Sequence, residues 1–264
     1  MNRIHRPIVR AVAVILTVTG VAAASGPNPN SAVLRERIYN DCPSSTLTST
    51  DTYPALVSFE DANLSCGGFA NLHAWRLSED NTTETQFPNN TAFSLEFDMV
   101  VSGTAQAEAG VQIAPWWSES DGRLNCRTTD GEIACFGGRL PFYSFTAQHG
   151  LHYVKGTSIH LKVTYYANDL NMTNPATIEY EVTYGGTFSS GPLAFDEGNP
   201  NEDPPYGLWG MLNNARVGGY VQEFLQPGNP NANVTTTFTN IVFVNLKPVS
   251  VEPSSWGRVK NTYR

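Results

Sequence analysis

The sequence predicts an all-β protein, built as a two-sheet antiparallel β-sandwich with jelly-roll connections. Short runs of alternating apolar and polar residues begin near residue 55, and Gly, Asn, Asp and Pro separate them. Such punctuation is typical of antiparallel strands joined by turns. No segment places apolar residues at helical spacing over the length of a helix. Because 41% of the residues are hydrophobic, the chain can form a core, and this excludes wholesale disorder.

Six segments show the strand pattern best. In the run FSLEFDMVV, Leu95 and Phe97 lie on one face of the predicted strand, and Glu96 and Asp98 lie on the other. The other segments repeat this alternation between turn residues. The predicted strands cover residues 93–101, 108–117, 132–136, 158–166, 177–184 and 234–246.

The chain divides into four parts. Residues 1–24 are typical of a secretory signal peptide, with three arginines, a short apolar run and a small-residue cleavage site. Residues 25–54 are rich in Pro, Asn, Ser and Thr, and we expect a loosely structured N-terminal arm with one short helix near residues 33–37. Residues 55–248 form the sandwich domain, and residues 249–264 form a solvated C-terminal tail.

The net charge of the chain limits the classes of partner that it can bind. Without residues 1–24 the chain keeps 13 basic and 24 acidic residues, a net charge of about −11. Such a charge argues against a nucleic-acid, anionic-membrane or strongly anionic polymer partner, although it leaves room for a local basic subsite. No stretch after the predicted signal approaches membrane-spanning length, so the sequence predicts a secreted, extracellular protein.

The cysteines fit an oxidising compartment. Cys42, Cys66, Cys126 and Cys135 make an even count, and their proximity in sequence favours the pairs Cys42–Cys66 and Cys126–Cys135. No CxxC spacing accompanies them, so a zinc site is not indicated. Five N-x-S/T sequons predict a glycoprotein if the host glycosylates its exports. They begin at Asn63, Asn81, Asn89, Asn171 and Asn233.

Several segments resemble the concanavalin A-like lectin/glucanase superfamily. They are LWGMLNNARVGGYVQ at 208–222, the closing strand VTTTFTNIVFVNL at 234–246, and the earlier runs FSLEFDMVVSGT and EAGVQIAPWW. The resemblance covers residues 55–248 and implies a jelly roll that handles polysaccharide. The superfamily holds lectins, family-16-type glucanases and alginate-type polysaccharide lyases.

The sequence departs from both enzymatic patterns of that superfamily. The glucanases carry E-x-D-x-x-E on one strand, whereas here EFD at 96–98 lacks the third carboxylate. The lyases carry an Arg-rich strand, a Q-I-H motif and a Tyr near the C-terminal side. Here QIA at 112–114 lacks the His, and Tyr220 in GGYVQ matches the Tyr. Neither catalytic set is intact.

If the chain is a glycoside hydrolase, it needs two carboxyl groups that flank the scissile bond. Glu96 and Asp98 lie on one face of one predicted strand, and Glu108 and Glu132 are expected to face one groove from adjacent strands. These four residues are the candidate catalytic acids. The alternative interpretation is that they are solvent-facing strand residues.

Six residues are candidates for sugar contact. Trp116 follows a Pro and offers an indole platform, although it could instead pack in the core. Arg139 could grip a carboxylate or satisfy loop carbonyls, and His160 could act as a base. The full set is Gln112, Trp116, Arg139, Tyr143, His160 and Tyr220. No cofactor is indicated, although acids near Asp196 and Glu197 would suit Ca²⁺.

Three functions stay open at this point. The first is a secreted polysaccharide-binding, lectin-like protein, favoured because both catalytic motifs are broken. The second is a secreted glycan-cleaving enzyme, either a glycoside hydrolase or a polysaccharide lyase, with a non-standard site. The third is a structural extracellular protein. No nucleotide-binding or serine-hydrolase motif occurs. The sequence does not identify the glycan or the oligomeric state.

Overall fold

The computed structural model describes residues 26–114, 122–137, 139–198 and 207–246. They form short strands and one helical turn, α1 (Phe145–His149), with Ser144 as its N-cap. The strands are β1 (Ser31–Asn40), β2 (Thr46–Thr52), β3 (Leu56–Ala62), β4 (Ala70–Ser78), β5 (Phe93–Ser102), β6 (Ala107–Ala114), β7 (Arg123–Arg127), β8 (Ile133–Phe136), β9 (Tyr143–Ser144), β10 (Ile159–Tyr166), β11 (Thr177–Thr183), β12 (Thr187–Ser189), β13 (Leu193–Ala194), β14 (Arg216–Phe224) and β15 (Asn233–Asn245).

The strands form two antiparallel sheets. The seven-stranded sheet has the order β1-β4-β14-β6-β7-β8-β9. The eight-stranded sheet has the order β12-β11-β10-β5-β15-β3-β2, with β13 paired to β11. Three of the six neighbouring pairs in each sheet order join strands that are not consecutive in sequence, which is the connectivity of a jelly roll. Within the described ranges, no helix has the length and apolar character needed to cross a membrane.

The core lies between the two sheets. Trp75 on β4 is fully buried and packs edge-on against Phe97 of β5 and Phe238 of β15, with ring centroids 5.7 and 5.8 Å away. Edge-to-face pairs at this spacing stabilise beyond the area that they bury. These contacts join one sheet to the other, so the inner face of each sheet is apolar.

The predicted all-β, two-sheet antiparallel fold is confirmed. Each of the six predicted strands corresponds to an observed one, β5, β6, β8, β10, β11 and β15, with ends that differ by a few residues. On β5, Leu95 and Phe97 are buried, whereas Glu96 and Asp98 are partly exposed. The alternation along β5 predicted the buried side chains correctly because the eight-stranded sheet has one face on the core and one face in solvent.

The expectation of a loose N-terminal arm is wrong for the residues that the structure describes. Residues 31–40 form β1 and residues 46–52 form β2, and no helix occurs near residues 33–37. β1 is an edge strand of the seven-stranded sheet, and β2 is an edge strand of the other. Edge strands commonly carry charged and polar side chains that discourage pairing with other chains, so a polar composition does not exclude a strand. The predicted signal peptide and C-terminal tail lie outside the described residues.

The predicted disulfides are half correct. Cys42 and Cys66 are bonded, whereas Cys126 and Cys135 are buried free thiols. Cys126 on β7 lies opposite Ile133 of β8, so Cys135 is its diagonal neighbour two residues further along. Diagonal neighbours are about 7 Å apart, whereas disulfide Cβ atoms are about 4 Å apart. The pairing is therefore excluded by the register of β7 and β8.

This cysteine arrangement predicts a labelling pattern. An alkylating reagent added to the folded, unreduced chain should label no cysteine, because burial shields Cys126 and Cys135 and raises the pKa of both thiols. In denaturant without reductant it should label two, and after reduction four. Mass spectrometry counts the labels. A chain that shows no label in denaturant would contradict the free thiols.

Candidate functional site

A group of polar side chains lies on the outer face of the seven-stranded sheet, opposite the core. Strand alternation places them there: Trp75, Val111 and Val221 face the core, so the residues next to them face outward. We call this group the outer-face cluster. Its members are Arg76 of β4, Glu108 and Gln112 of β6, Arg123 and Asn125 of β7, and Tyr220 and Gln222 of β14.

The strand register sets the order of these side chains across the sheet. Arg76 lies opposite Gly218, Gly218 opposite Gln112, and Gln112 opposite Arg123. This places three long polar side chains in one row across four strands. In the next row, Tyr220 lies opposite Gly110. Neighbouring rows are about 7 Å apart, so the phenol lies beside the first row.

Two glycines make room for the cluster. A Cβ built on Gly218 would collide with the backbone oxygen of Trp75, and one on Gly110 would collide with the backbone oxygen of Leu124. The strands therefore approach too closely for any side chain at these two positions. Because Gly218 has no side chain, Arg76 and Gln112 meet above it, where the Arg76 Nη2 donates to Gln112 Oε1 at 2.7 Å.

The other half of the cluster is built around Arg123. Its Nη1 donates to Glu108 Oε1 at 2.6 Å and to Gln222 Oε1 at 3.3 Å. Asn125 donates to the second oxygen of Glu108 at 3.2 Å. The Arg123 guanidinium also lies 4.5 Å from the centroid of the Tyr220 ring, a cation–π contact. Glu108 is thus held by two donors and does not point freely at a ligand.

Tyr220 is fully buried, and the side chain of Asn125 is a polar neighbour of its hydroxyl, although the two do not form a well-aligned hydrogen bond. Burial raises the pKa of Tyr220 well above its ordinary range, and Glu108 raises it further, while Arg123 opposes both. The phenol therefore keeps its proton at neutral pH. A buried hydroxyl without an aligned hydrogen bond, next to the Arg123 guanidinium, is costly, and a ligand oxygen would relieve that cost.

The four predicted catalytic acids do not converge. Glu96 and Asp98 lie on β5 of the eight-stranded sheet, with side chains on its outer face, whereas Glu108 lies on the outer face of the other sheet. Asp98 accepts from Asn240 at 2.7 Å and lies 2.8 Å from His160 Nδ1. Glu108 and Glu132, expected to face one groove, do lie at the same sheet, beside Arg127. Glu96 and Asp98 lie on the other sheet, which the sequence could not indicate because alternation does not say which sheet a strand joins.

The remaining predicted contacts are also scattered. Glu132 pairs with Arg127 at 2.5 Å in the turn before β8. Arg139 donates to the carbonyl oxygens of Gly210 and Asp196, which is the loop role left open by the sequence. Tyr143 lies against the core side, with its hydroxyl 2.9 Å from His149 Nε2. Trp116 lies outside the described residues, so its role stays a prediction.

Gln112, Glu108 and Tyr220 are the predicted residues that the structure brings together. Sequence reasoning missed Arg76, Arg123, Asn125 and Gln222. Gln222 could have been found, because it alternates with Tyr220 on the same strand. Arg123 could not, because its place beside Gln112 depends on a strand pairing that no local pattern specifies.

A second polar group lies between the sheets, near the disulfide. Asp61 of β3 accepts from Ser45 at 2.9 Å and from Asn71 at 2.8 Å. His73 Nε2 lies 3.5 Å from Asp61 and 3.4 Å from Glu223, and all three residues are fully buried. We call Asp61, His73 and Glu223 the inter-sheet triad. Within the described chain, it is the one group of three acids or histidines close enough to share a metal ion.

The hydrogen bonds of the triad do not fit a metal. The backbone N–H of Arg37 donates to His73 Nδ1 at 3.0 Å, so Nδ1 carries a lone pair. The ring hydrogen of neutral His73 is therefore on Nε2, the atom that faces both carboxyl groups. A metal would need a lone pair at that atom. The Ca²⁺ site expected near Asp196 and Glu197 is a different matter and stays a prediction, because that loop continues beyond the described residues.

The two acids of the triad have opposite pKa shifts. Burial alone would raise the pKa of Asp61, but hydrogen bonds from His73, Ser45 and Asn71 outweigh it, and the pKa is lowered. Burial raises the pKa of Glu223 to about 7, and the contact with His73 offsets only part of that effect. Glu223 therefore exchanges its proton near neutral pH inside the core.

Comparisons with known proteins name no family for this chain. No protein-family model matches, and no curated protein matches. Among solved structures, an alginate lyase from Klebsiella pneumoniae is 12% identical, with a TM-score of 0.48, over 76% of this chain and 85% of that one. An alginate lyase from Corynebacterium sp. is 10% identical, with a TM-score of 0.42, over 81% and 94%. Identities and TM-scores this low carry no argument about family or activity.

The inter-sheet triad predicts how stability depends on pH. The folded chain holds a proton on Glu223 up to about pH 7, whereas an ordinary Glu loses it near 4.5. Between those values the folded state binds more protons, so the free energy of unfolding falls as pH rises, by on the order of 3 kcal/mol. Asp61 and Asp130 have lowered pKa values and stay ionised throughout that window.

Denaturant unfolding at several pH values measures this dependence. Glu223→Gln should flatten it, because glutamine mimics the protonated acid and does not titrate. Glu181→Gln, at a partly exposed position on the eight-stranded sheet, should keep the wild-type slope. An unchanged slope in Glu223→Gln would assign the pH dependence to other groups.

Proposed function

We propose that this chain is a secreted glycan-cleaving enzyme of the polysaccharide-lyase type, acting on an acidic polysaccharide by β-elimination. The observation that carries the proposal is the convergence of Arg76, Gln112, Arg123 and Tyr220 on one face of one sheet. An acidic protein that gathers its arginines there is suited to an anionic substrate. The disulfide Cys42–Cys66 supports export to an oxidising compartment.

The reaction needs three things from the protein. A carboxylate on the sugar must be neutralised so that its neighbouring C5–H becomes acidic. A base must take the C5 hydrogen, and the O4 leaving group must receive a proton as the C4–O4 bond breaks. The products are a C4=C5 double bond on one sugar and a hydroxyl on the other, so no water is consumed.

The outer-face cluster can supply these roles. The guanidinium of Arg76 and the amide of Gln112, which are hydrogen-bonded at 2.7 Å, are suited to bind the sugar carboxylate and neutralise its charge. The Tyr220 phenol suits the proton transfers. In a syn elimination only the ionised form of Tyr220 can act as the base: the phenolate, stabilised by Arg123 over its ring, takes the C5 hydrogen. The phenol that results returns this proton to O4 as the C4–O4 bond breaks, and the phenolate is regenerated.

The cluster argues against hydrolysis by two carboxylic acids. Within the described residues the cluster holds one carboxylate, Glu108, and that group is bound by Arg123 and Asn125. Hydrolysis needs a second acid at a defined separation from the first. Glu96 and Asp98 are on the other sheet and cannot provide it.

A lectin-like binding protein is the second candidate. The observation that favours it is Ala114, which follows Gln112 where the lyase pattern carries a histidine. Without that imidazole, and with the pKa of Tyr220 raised, the same face could bind an acidic glycan without cleaving it. The two candidates share a ligand and differ in whether a double bond is formed.

One experiment separates them. The purified chain is incubated with a panel of polyuronates, including alginate, and the ultraviolet absorbance of the unsaturated product is followed together with new reducing ends. We expect both signals, and we expect Tyr220→Phe to lower the rate by about 10²-fold or more. Tyr166→Phe, exposed on the eight-stranded sheet, is the matched control and should keep full activity.

The other outcomes are also decisive. Reducing ends without the absorbance would mean hydrolysis and would overturn the elimination. Binding without either signal would favour the lectin-like candidate. Absence of both binding and cleavage across the panel would leave a structural role.

A further inference from the structure

A cavity of about 320 Å³ lies at the edge of the outer-face cluster and is not used by the proposed reaction. It is lined by Val33 and Arg35 of β1, by Arg216 of β14 and by the loop after β4, including Glu84. Val33 lies directly opposite Arg76 in the strand register. Arg216 precedes Gly218 by two residues on the same face. The cavity therefore continues the row that holds Arg76 and Gln112.

The cavity is dominated by two guanidinium groups. Arg35 and Arg216 both form ion pairs with Glu84, each with a different oxygen of its carboxylate. Glu84 is nearly buried, with 8% of its side chain exposed, whereas Arg216 keeps 19% exposed and Arg35 keeps 41%. Two positive groups surround one negative group, so the guanidinium side of the cavity has a net charge of about +1, and the carboxylate of Asp80 lies in the adjoining loop.

The loop after β4 supplies polar groups to the cavity. Asp80 accepts from the backbone N–H groups of Thr82 and Thr83 at 2.9 and 2.7 Å, and from the Thr83 hydroxyl at 2.7 Å. These bonds fix the loop that presents Thr82 and Gln86 to the cavity. Hydroxyl and amide groups held in this way bind sugar hydroxyls without losing much conformational freedom.

We propose that this cavity is a binding subsite for the acidic substituent, a carboxylate or a sulfate ester, of a sugar unit next to the one at the outer-face cluster. This inference rests on the proposed function, because it assigns the same polymer to a second position. Glu84 binds Arg216 through Nε and, within the described chain, is the sole partner of Arg216. The two terminal nitrogens of that guanidinium are then the donors for a planar anion.

Glu84 has an opposing role in this proposal. It orients the two guanidinium groups, and its negative charge also weakens their attraction for a second anion. Removing the charge while keeping the shape should therefore tighten binding of an acidic ligand. A purely structural ion-pair network makes the opposite prediction, because loss of Glu84 would loosen both arginines.

Calorimetry tests the subsite with three oligosaccharide probes: an oligouronate, its carboxyl-reduced counterpart and a sulfated neutral oligosaccharide. The chain carries Tyr220→Phe, so that no probe is cleaved during the measurement. We expect Arg216→Gln to weaken oligouronate binding about tenfold or more and Glu84→Gln to tighten it. Lys162→Gln, which loses the same charge on the outer face of the eight-stranded sheet, should leave binding unchanged.

The probes distinguish the two anions, and thermal melting of each variant checks folding. Preference for the sulfated probe assigns a sulfate ester, and preference for the oligouronate assigns a carboxylate. Equal binding of the carboxyl-reduced probe and both acidic probes overturns the subsite. So does weaker binding by Glu84→Gln at an unchanged melting temperature. If Arg216→Gln does not fold, Arg216→Lys keeps the charge and should retain part of the affinity while losing the bidentate contact.

The subsite and the proposed function can be overturned independently. If the wild-type chain forms no unsaturated product but the variants change affinity as expected, the lyase proposal is wrong and the subsite stands. If product forms and Arg216→Gln has the wild-type KM, the subsite is wrong and the lyase proposal stands.

Discussion

The close approach of β14 to β4 is the constraint on which both faces of the seven-stranded sheet depend. At Gly218 a side chain would collide with the backbone of Trp75, and at Gly219 it would collide with the Trp75 indole. The first glycine allows Arg76 and Gln112 to meet on the outer face. The second allows the indole to reach Phe97 and Phe238 in the core. Core packing and candidate site are therefore two results of one pair of adjacent glycines.

The sequence predicted the parts of this arrangement that depend on local period. Alternation predicted the strand that carries Glu108 and Gln112, and the superfamily resemblance marked Tyr220 in the GGYVQ strand. The same alternation made Glu96 and Asp98 candidate catalytic acids alongside Glu108, although they lie on the other sheet. Alternation relates residues within a strand and says nothing about the sheet that the strand joins.

The parts that were missed depend on long-range pairing or on burial of both faces. Every residue of β4 is buried, so Arg76 lies in a strand that shows no exposed stripe in the structure. Arg123 becomes a neighbour of Gln112 only through the register of β6 and β7. β1 and β2 were predicted as a loose arm because edge strands tolerate the polar composition that also marks loops.

The disulfide also stabilises one edge of the seven-stranded sheet. It joins the segment that follows β1 to the segment that precedes β4, closing a loop whose ends are 24 residues apart. A cross-link of that span stabilises the folded state by about 3 kcal/mol in chain-entropy terms. β1 is an edge strand held by β4 alone, and it contributes Val33 and Arg35 to the cavity. In a reducing environment this strand would lose its covalent anchor, so the disulfide also fixes one wall of the cavity.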